Sequence, residues 1–411
     1  MVTAVLVAPY FQENTLRYVQ ALTALPGTRA CLITRDDVAR VPPAVRARLA
    51  AHRRVEGEFD GEALAAACRS LATEVGPLDR LFGVLEQLQA PIAQARDLAG
   101  VPGMSHATVL GFREKARMKE VLRAAGLPVA RSRLLTSPAH GPAFVREVGY
   151  PIVVKPPDGL GAKATYRVRD AADLEAALAS LSPSAARPVQ AEEFVTGEEN
   201  TFETVSIRGR PVWWSGTRYL PGPLTVLENP WIQYCVLLPR EEDDPDFASF
   251  APTGFAALRA LGMGTGLTHL EWFRRADGSA VISEVGARPP GVHIMPMMSL
   301  AHGIDMIEAW VRLVVHETFD PPRRIAAAGT AFLRSQGRGG RVVAVEGLRE
   351  VVAELGGVVV EVRAPQVGQP VAESYEGEGH VIVRAPRTET VRAALAQIVG
   401  RVRVRRGEAT T

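Results

Sequence analysis

At 411 residues, with 47% hydrophobic and 22% charged side chains, the chain reads as a globular protein of two or three domains. A formal net charge of +2 supplies no strong field, which argues against a general nucleic-acid binder, and the basic Arg401–Arg406 stretch reads as a solvated last strand with outward arginines. Cys31, Cys68 and Cys235 are too few and too far apart for a disulfide framework or a zinc site, so a reducing cytoplasm is expected. No apolar run approaches the roughly 20 residues of a membrane span.

Val2–Ala8 reads as a buried first strand rather than a signal peptide. Asn14 is placed to cap a helix with Leu16, Val19, Leu22 and Leu25 at helical spacing, stopped by Pro26 and Gly27. A strand over Ala30–Thr34, a helix over Gly61–Thr73, a strand over Leu81–Leu85 and a helix over Pro91–Leu98 follow. This alternation implies a small parallel α/β domain. No G-x-G-x-x-G follows its first strand, which disfavours dinucleotide binding. A boundary falls near Val101–Ser105. Phe112–Ala125 then reads as one helix, and its Lys115, Arg117, Lys119 and Arg123 by themselves describe a solvated face.

Ile152–Val154 is an apolar, β-branched strand that delivers Lys155 to a segment loosened by Gly159 and Gly161. Backbone N–H groups in such a loop can surround phosphate oxygens while the ammonium neutralises charge. In isolation the stretch is better read as a strand ending before an ordinary turn. Ala171–Leu181 is helical, and Pro188–Val195 is a strand with Glu192 and Glu193 near its end. Thr201–Ile207 and Pro211–Ser215 form a hairpin, and a loop from Leu220 through Pro230 is positioned to cover a site. After a helix over Phe250–Leu261, the strands Leu267–Arg274 and Ser279–Glu284 pair through Ala276-Asp277-Gly278, a strong hairpin signal. Ile304–Val315 is a helix. From about Pro321 a tail domain follows: strands at Gly329–Leu333, Val358–Val362 and His380–Arg384, and helices at Gly347–Leu355 and Thr388–Ile398.

The second hairpin carries the clearest chemistry. Pairing can bring the carboxylates of Glu271 and Glu284 together, which is costly for two bare charges but suits a hard divalent cation that also holds phosphates. Separate surface acids are an equal reading while the register is open. Arg288 has a planar charge able to grip a phosphate or a carboxylate, although alone it reads as a loop arginine. Glu192 and Glu199 flank an apolar strand end at Phe194 and Val195. His269 shares the strand face of Glu271 and reads as a packed histidine before a metal ligand.

In order along the chain, the helix bearing Lys115, the strand bearing Lys155 with its glycine loop, Glu192-Glu-Phe-Val-Thr-Gly-Glu-Glu199, His269-Leu-Glu271 and Glu284-Val-Gly-Ala-Arg288 resemble the ATP-grasp superfamily. The match runs over about Ser105–Glu317 and is specific as a combination. It implies a mixed α/β and α+β protein: a pre-ATP-grasp parallel α/β domain (1–104), a two-subdomain ATP-grasp fold (105–320) and a small C-terminal α+β domain (321–411). It further implies that Lys115, Lys155 and the loop residues Gly161 and Ala162 contact ATP phosphates. Adenine would be read by backbone groups of Glu193 and Val195 with the Glu192 side chain, and ribose by Glu199. Glu271 and Glu284 would hold Mg²⁺ (or Mn²⁺), with Arg288 and Lys155 acting on the transferred group. Two positions depart from the pattern: Gly286 stands where an asparagine is common, and Ala162 and Ala164 stand in the glycine loop.

The implied activity is that of a carboxylate–amine ligase resembling L-amino-acid ligases. ATP would activate a small-molecule carboxylate as an acyl phosphate, which an amine then attacks, releasing ADP and phosphate. A biotin-carboxylase-like or carbamoyl-phosphate-type carboxylating enzyme shares the same machinery, and a non-catalytic ATP-binding module is a reading from a different class. Neither nucleic acid nor membrane is an expected partner, and a homodimer is the ordinary default for a soluble enzyme.

Overall fold

The computed structural model describes residues 1–157, 165–229, 232–240, 244–372 and 374–408. The N-terminal strands form a four-stranded, all-parallel sheet in the order Ala51–Arg54, Thr28–Thr34, Val2–Val7, Arg80–Gly83. Val5, Val7, Cys31 and Ile33 face the helices Gly61–Val75 and Gln89–Ala99 in one core. Ala4, Leu6 and Leu32 on the opposite face pack with the helices Glu13–Ala24 and Met306–His316 in another. Both faces are therefore covered, as the near-continuous apolar strands require.

The centre of the molecule is an eight-stranded antiparallel sheet. Its order is Ala280–Gly286, Gly266–Arg274, Glu198–Ile207, Arg210–Leu220, Tyr234–Leu238, Ala327–Leu333, Gly379–Ala385, Val359–Arg363. The last three strands come from the C-terminal part of the chain, so that part extends the central sheet. It also forms a three-stranded sheet of Ser335–Gly337, Arg403–Gly407 and Arg341–Glu346. Phe250 of the helix Pro245–Ala260 stacks on Trp272 with ring centroids 4.1 Å apart, sealing one face of the central sheet. A separate antiparallel sheet, Ser132–Leu135, Val189–Glu193, Ile152–Lys155, Tyr166–Val168, is backed by the helices His140–Val148 and Ala171–Leu181.

Two sequence expectations are corrected. Asn14 lies inside the first helix, and Gln12 occupies the cap position. The helix expected over Phe112–Ala125 is two helices, His106–Arg113 and Lys115–Ala124, broken by extended backbone at Glu114 (φ −92°, ψ 103°). The break matters because it makes Lys115 the first residue of a helix. A cation there opposes the helix dipole and needs a carboxylate nearby. The strands Ser132–Leu135 and Tyr234–Leu238 and the helix Ile294–His302 were not anticipated.

Candidate active site

A cavity of about 540 Å³ lies between the small antiparallel sheet and the central sheet. Lys115, Lys155, Glu192, Glu193, Val195, Glu199, Glu271, Glu284 and Arg288 all line it. Gly161 and Ala162, with the rest of the glycine loop, lie outside the described residues.

Register brings the two candidate metal carboxylates together. Arg274, Phe273 and Trp272 pair with Ala280, Val281 and Ile282, so a regular ladder would set Ser283 opposite Glu271. A bulge after Trp272 inserts one residue and pairs Glu271 with Glu284 instead. Both carboxylates are held by neighbours. Lys115 Nζ donates to Glu284 Oε1 at 2.7 Å, and Tyr219 Oη donates to Glu271 Oε1 at 3.2 Å. His269 pairs with buried Glu203 through Nδ1 (2.8 Å) and reaches Glu271 Oε1 with Nε2 at 3.6 Å. Burial disfavours its charged form, yet Glu203 and Glu271 push the imidazole up to about 9. Burial likewise works against ionising Glu271, but His269 beside it lowers its carboxyl. Among the described residues no group of three or more His, Cys, Asp or Glu is arranged to hold a metal. Two carboxylates are a fitting donor set for Mg²⁺, which typically takes one or two from the protein and completes its shell with phosphate oxygens and water.

A lysine pair surrounds Glu192. Lys119 Nζ and Lys155 Nζ lie 3.1 and 3.0 Å from the same oxygen, Glu192 Oε2. Burial would raise the Glu192 carboxyl, but the two ammonium groups hold it down to about 2. Burial lowers the Lys119 ammonium, while Lys155 is raised, against burial, by Glu192 and Glu284. In this state the Glu192 side chain neutralises lysines. The backbone N–H of Glu193, expected to help read a base, donates to the Arg131 carbonyl at 2.9 Å, and its carboxylate pairs with Arg131 and Arg275. Glu199 faces the cavity, and burial together with the Glu271 charge pushes its carboxyl well above the usual range.

Arg288 is fixed from the N-terminal unit. Its Nε donates to Glu86 Oε2 at 2.8 Å, its Nη2 donates to the same oxygen, and Arg113 pairs with the other oxygen of Glu86. Burial opposes ionisation of Glu86, and the two guanidinium groups overcome it and lower its carboxyl. On the far wall, Arg167 lies 3.9 Å over the Phe194 ring and 3.4 Å from Glu228 of the short helix Pro223–Glu228. That helix occupies part of the covering loop expected from sequence, and Pro223, Leu224 and Thr225 line the cavity.

Glu86, Glu203, Tyr219 and Tyr375 are not singled out by the sequence, and Lys119, read there as part of a solvated face, is buried. For Lys119 a signal existed: Lys115, Met118, Lys119 and Leu122 recur at i, i+3, i+4 and i+7, and all four are buried on one helix face. For Glu203 and Tyr375 no local pattern exists, because their roles depend on strand order and on a distant loop.

No family model matches the chain. Among curated proteins it is 25% identical over 249 residues to an L-arginine-specific L-amino acid ligase of Bacillus subtilis, covering 59% of each chain. It is 29% identical over 352 residues to a formate-dependent phosphoribosylglycinamide formyltransferase of Anaeromyxobacter dehalogenans, covering 83% of this chain and 84% of that protein. Its fold matches the crystal structure of an L-amino acid ligase from Bacillus licheniformis with a TM-score of 0.76 at 20% identity, over 99% of both chains. In fold and in sequence the chain is thus similar to carboxylate–amine ligases of the ATP-grasp kind, the resemblance that its ordered motifs imply.

Proposed function

We propose that this protein is an ATP-dependent ligase that joins a small carboxylate, an amino acid or a similar acid, to an amine. The observation that carries this reading is the cross-strand Glu271–Glu284 pair, which faces three buried or half-buried lysines and Arg288 across one cavity. Paired acids beside clustered cations match a polyphosphate that arrives with a divalent metal. Lys155 and Lys115 would neutralise phosphate oxygens, and Glu199 would accept the ribose hydroxyls. Glu271 and Glu284 would hold magnesium, whose charge draws electron density from the phosphate oxygens when it is bound.

The chemistry asks for positioning and charge rather than a nucleophilic side chain. A carboxylate oxygen attacks the γ-phosphorus and ADP leaves. The amine nitrogen then attacks the acyl carbon, phosphate leaves, and the nitrogen gives up its proton. Arg288, held by Glu86, presents its guanidinium where the carboxylate and the transferred phosphoryl group meet, and stabilises the charge that develops there. The buried free thiols of Cys31, Cys68 and Cys235 support a reducing, cytoplasmic setting, and no described helix is long and apolar enough to cross a membrane.

The test is release of ADP and phosphate from MgATP, screened against pooled amino acids and small carboxylic acids with and without bicarbonate. Release that requires one acid and one amine together is expected. Release that depends on bicarbonate alone, or AMP and pyrophosphate as products, would overturn the acyl-phosphate ligase reading.

A further inference from the structure

The end of the cavity beside Arg288 has an aromatic wall supplied by the C-terminal part of the chain. Tyr375 and Tyr219 both line the cavity, together with Val292 and Gly291. The Tyr375 ring meets the Tyr234 ring edge-on at 5.6 Å, Tyr219 lies 6.0 Å from the same ring, and Tyr234 stacks on Phe332 at 5.2 Å. The wall is therefore backed by fully buried aromatic residues rather than by solvent.

The segment that presents Tyr375 is anchored on both sides. Three residues on, the buried carboxylate of Glu378 accepts from Ser335 N (2.8 Å), Ser335 Oγ (2.8 Å) and Ala372 N (3.0 Å), and Glu378 N donates to the Leu333 carbonyl at 3.0 Å. Gly377 has φ +67°, and a Cβ there would sit 2.7 Å from the Leu333 carbonyl oxygen. Only glycine fits that contact, so the chain is pressed tightly against its neighbour just after Tyr375. An anchored aromatic residue facing a site is suited to discriminate shape, because its position is fixed before the ligand arrives.

We propose that Tyr375 is a specificity-determining residue, and that its ring, with Tyr219, selects a carboxylate substrate bearing an aromatic or large apolar side chain. The inference rests on the ligase reading for the location of the carboxylate at Arg288. A substrate held there by its carboxylate directs its side chain along the Tyr375–Tyr219 wall, where a planar or branched apolar group gains contact that glycine cannot make.

The test is calorimetric binding of L-phenylalanine and of glycine, each in the presence of ADP and Mg²⁺, to the full chain and to Tyr375→Ala and Tyr375→Phe. The wild type is expected to prefer L-phenylalanine by about tenfold or more, the range a shaped apolar pocket provides. Tyr375→Ala brings that ratio close to one, and Tyr375→Phe retains it. Tyr375→Leu, which preserves bulk without the ring, repeats the test if the alanine variant does not fold. A ratio unchanged in Tyr375→Ala, or no wild-type preference, would overturn the proposal. A preference lost in Tyr375→Ala without ADP release on any acid–amine pair would support the wall and reject the ligase reading.

Discussion

Lys119 Nζ stands 3.1 Å from Glu192 Oε2, the same oxygen that Lys155 Nζ reaches at 3.0 Å. One carboxylate thus pairs with two ammonium groups that arrive from different elements, a helix and a strand. If Lys155 turns toward a phosphate, Glu192 is still compensated by Lys119. Lys119 accordingly acts as a fixed counter-ion that allows Lys155 to exchange partners. Lys119→Met should destabilise the fold by about 3–5 kcal/mol, the usual consequence of breaking a buried charge pair. It should also raise the Kd for ATP, because Lys155 is then the sole partner of Glu192. Lys119→Met/Glu192→Gln should recover part of the stability, which a double-mutant cycle in urea would measure. Strict additivity of the two single variants would rule out the coupling.

The same triad sets an acid limit. The folded-state carboxyl of Glu192 lies at about 2, below its ordinary value of 4.5. A depressed carboxyl contributes stability that is fully present above the ordinary value and is lost as pH falls through the folded one. The stability difference between wild type and Glu192→Gln should therefore be largest at neutral pH and close between about pH 4.5 and pH 2. Chemical unfolding across that range measures it, and a pH-independent difference would contradict the assignment.

Much of this site was legible in the sequence because its pieces are local. The β-branched run before Lys155 and the Asp277-Gly278 turn are short-range signals, the first setting Lys155 at a strand end and the second pairing the strands that carry Glu271 and Glu284. The exact facing of Glu271 and Glu284 was not legible, since it depends on a bulge that no residue type announces. Lys119 reads as exposed when its charge alone is weighed, whereas its spacing with Met118 and Leu122 puts it on the buried face. The Glu86–Arg288 pair joins residues 202 apart in sequence, and Tyr375 reaches the cavity from a strand-linked loop at the far end of the chain. Such contacts are set by packing of whole units and carry no local pattern.

Glu284 bears most directly on the proposed chemistry. Its Oε1 accepts from Lys115 at 2.7 Å and its strand partner is Glu271. Glu284→Gln keeps the size and the hydrogen-bonding capacity of the side chain but removes the charge. Turnover should fall by at least about a hundredfold, the order lost when one preorganised electrostatic group is removed. The variant should stay folded with a lowered thermal midpoint, because the buried Lys115 ammonium at its helix start loses the Glu284 charge. Binding of Mn²⁺ in the presence of ADP, followed by electron paramagnetic resonance, should weaken in parallel. Wild-type turnover in a folded Glu284→Gln variant would remove both carboxylates from the metal assignment.

Gly286 offers the complementary gain-of-ligand test. It pairs with His269 across the hairpin, two residues beyond Glu284 and so on the same strand face. Its backbone lies outside the left-handed region, and a Cβ would meet Arg288 Cγ at 3.6 Å and the His269 carbonyl oxygen at 3.9 Å, which are ordinary contacts. A side chain is therefore tolerated there, and glycine is not demanded by conformation. Gly286→Asn adds a carboxamide oxygen on the strand face of Glu271 and Glu284, a third hard donor for the proposed metal site. The variant should fold with a little-changed Tm, because Gly286 is the last residue of an edge strand and its added side chain meets only ordinary contacts. Its Mn²⁺ affinity in the presence of ADP should rise, about threefold to tenfold, by the same resonance measurement. Unchanged affinity in a folded Gly286→Asn variant would mean that the asparagine side chain does not reach the ion.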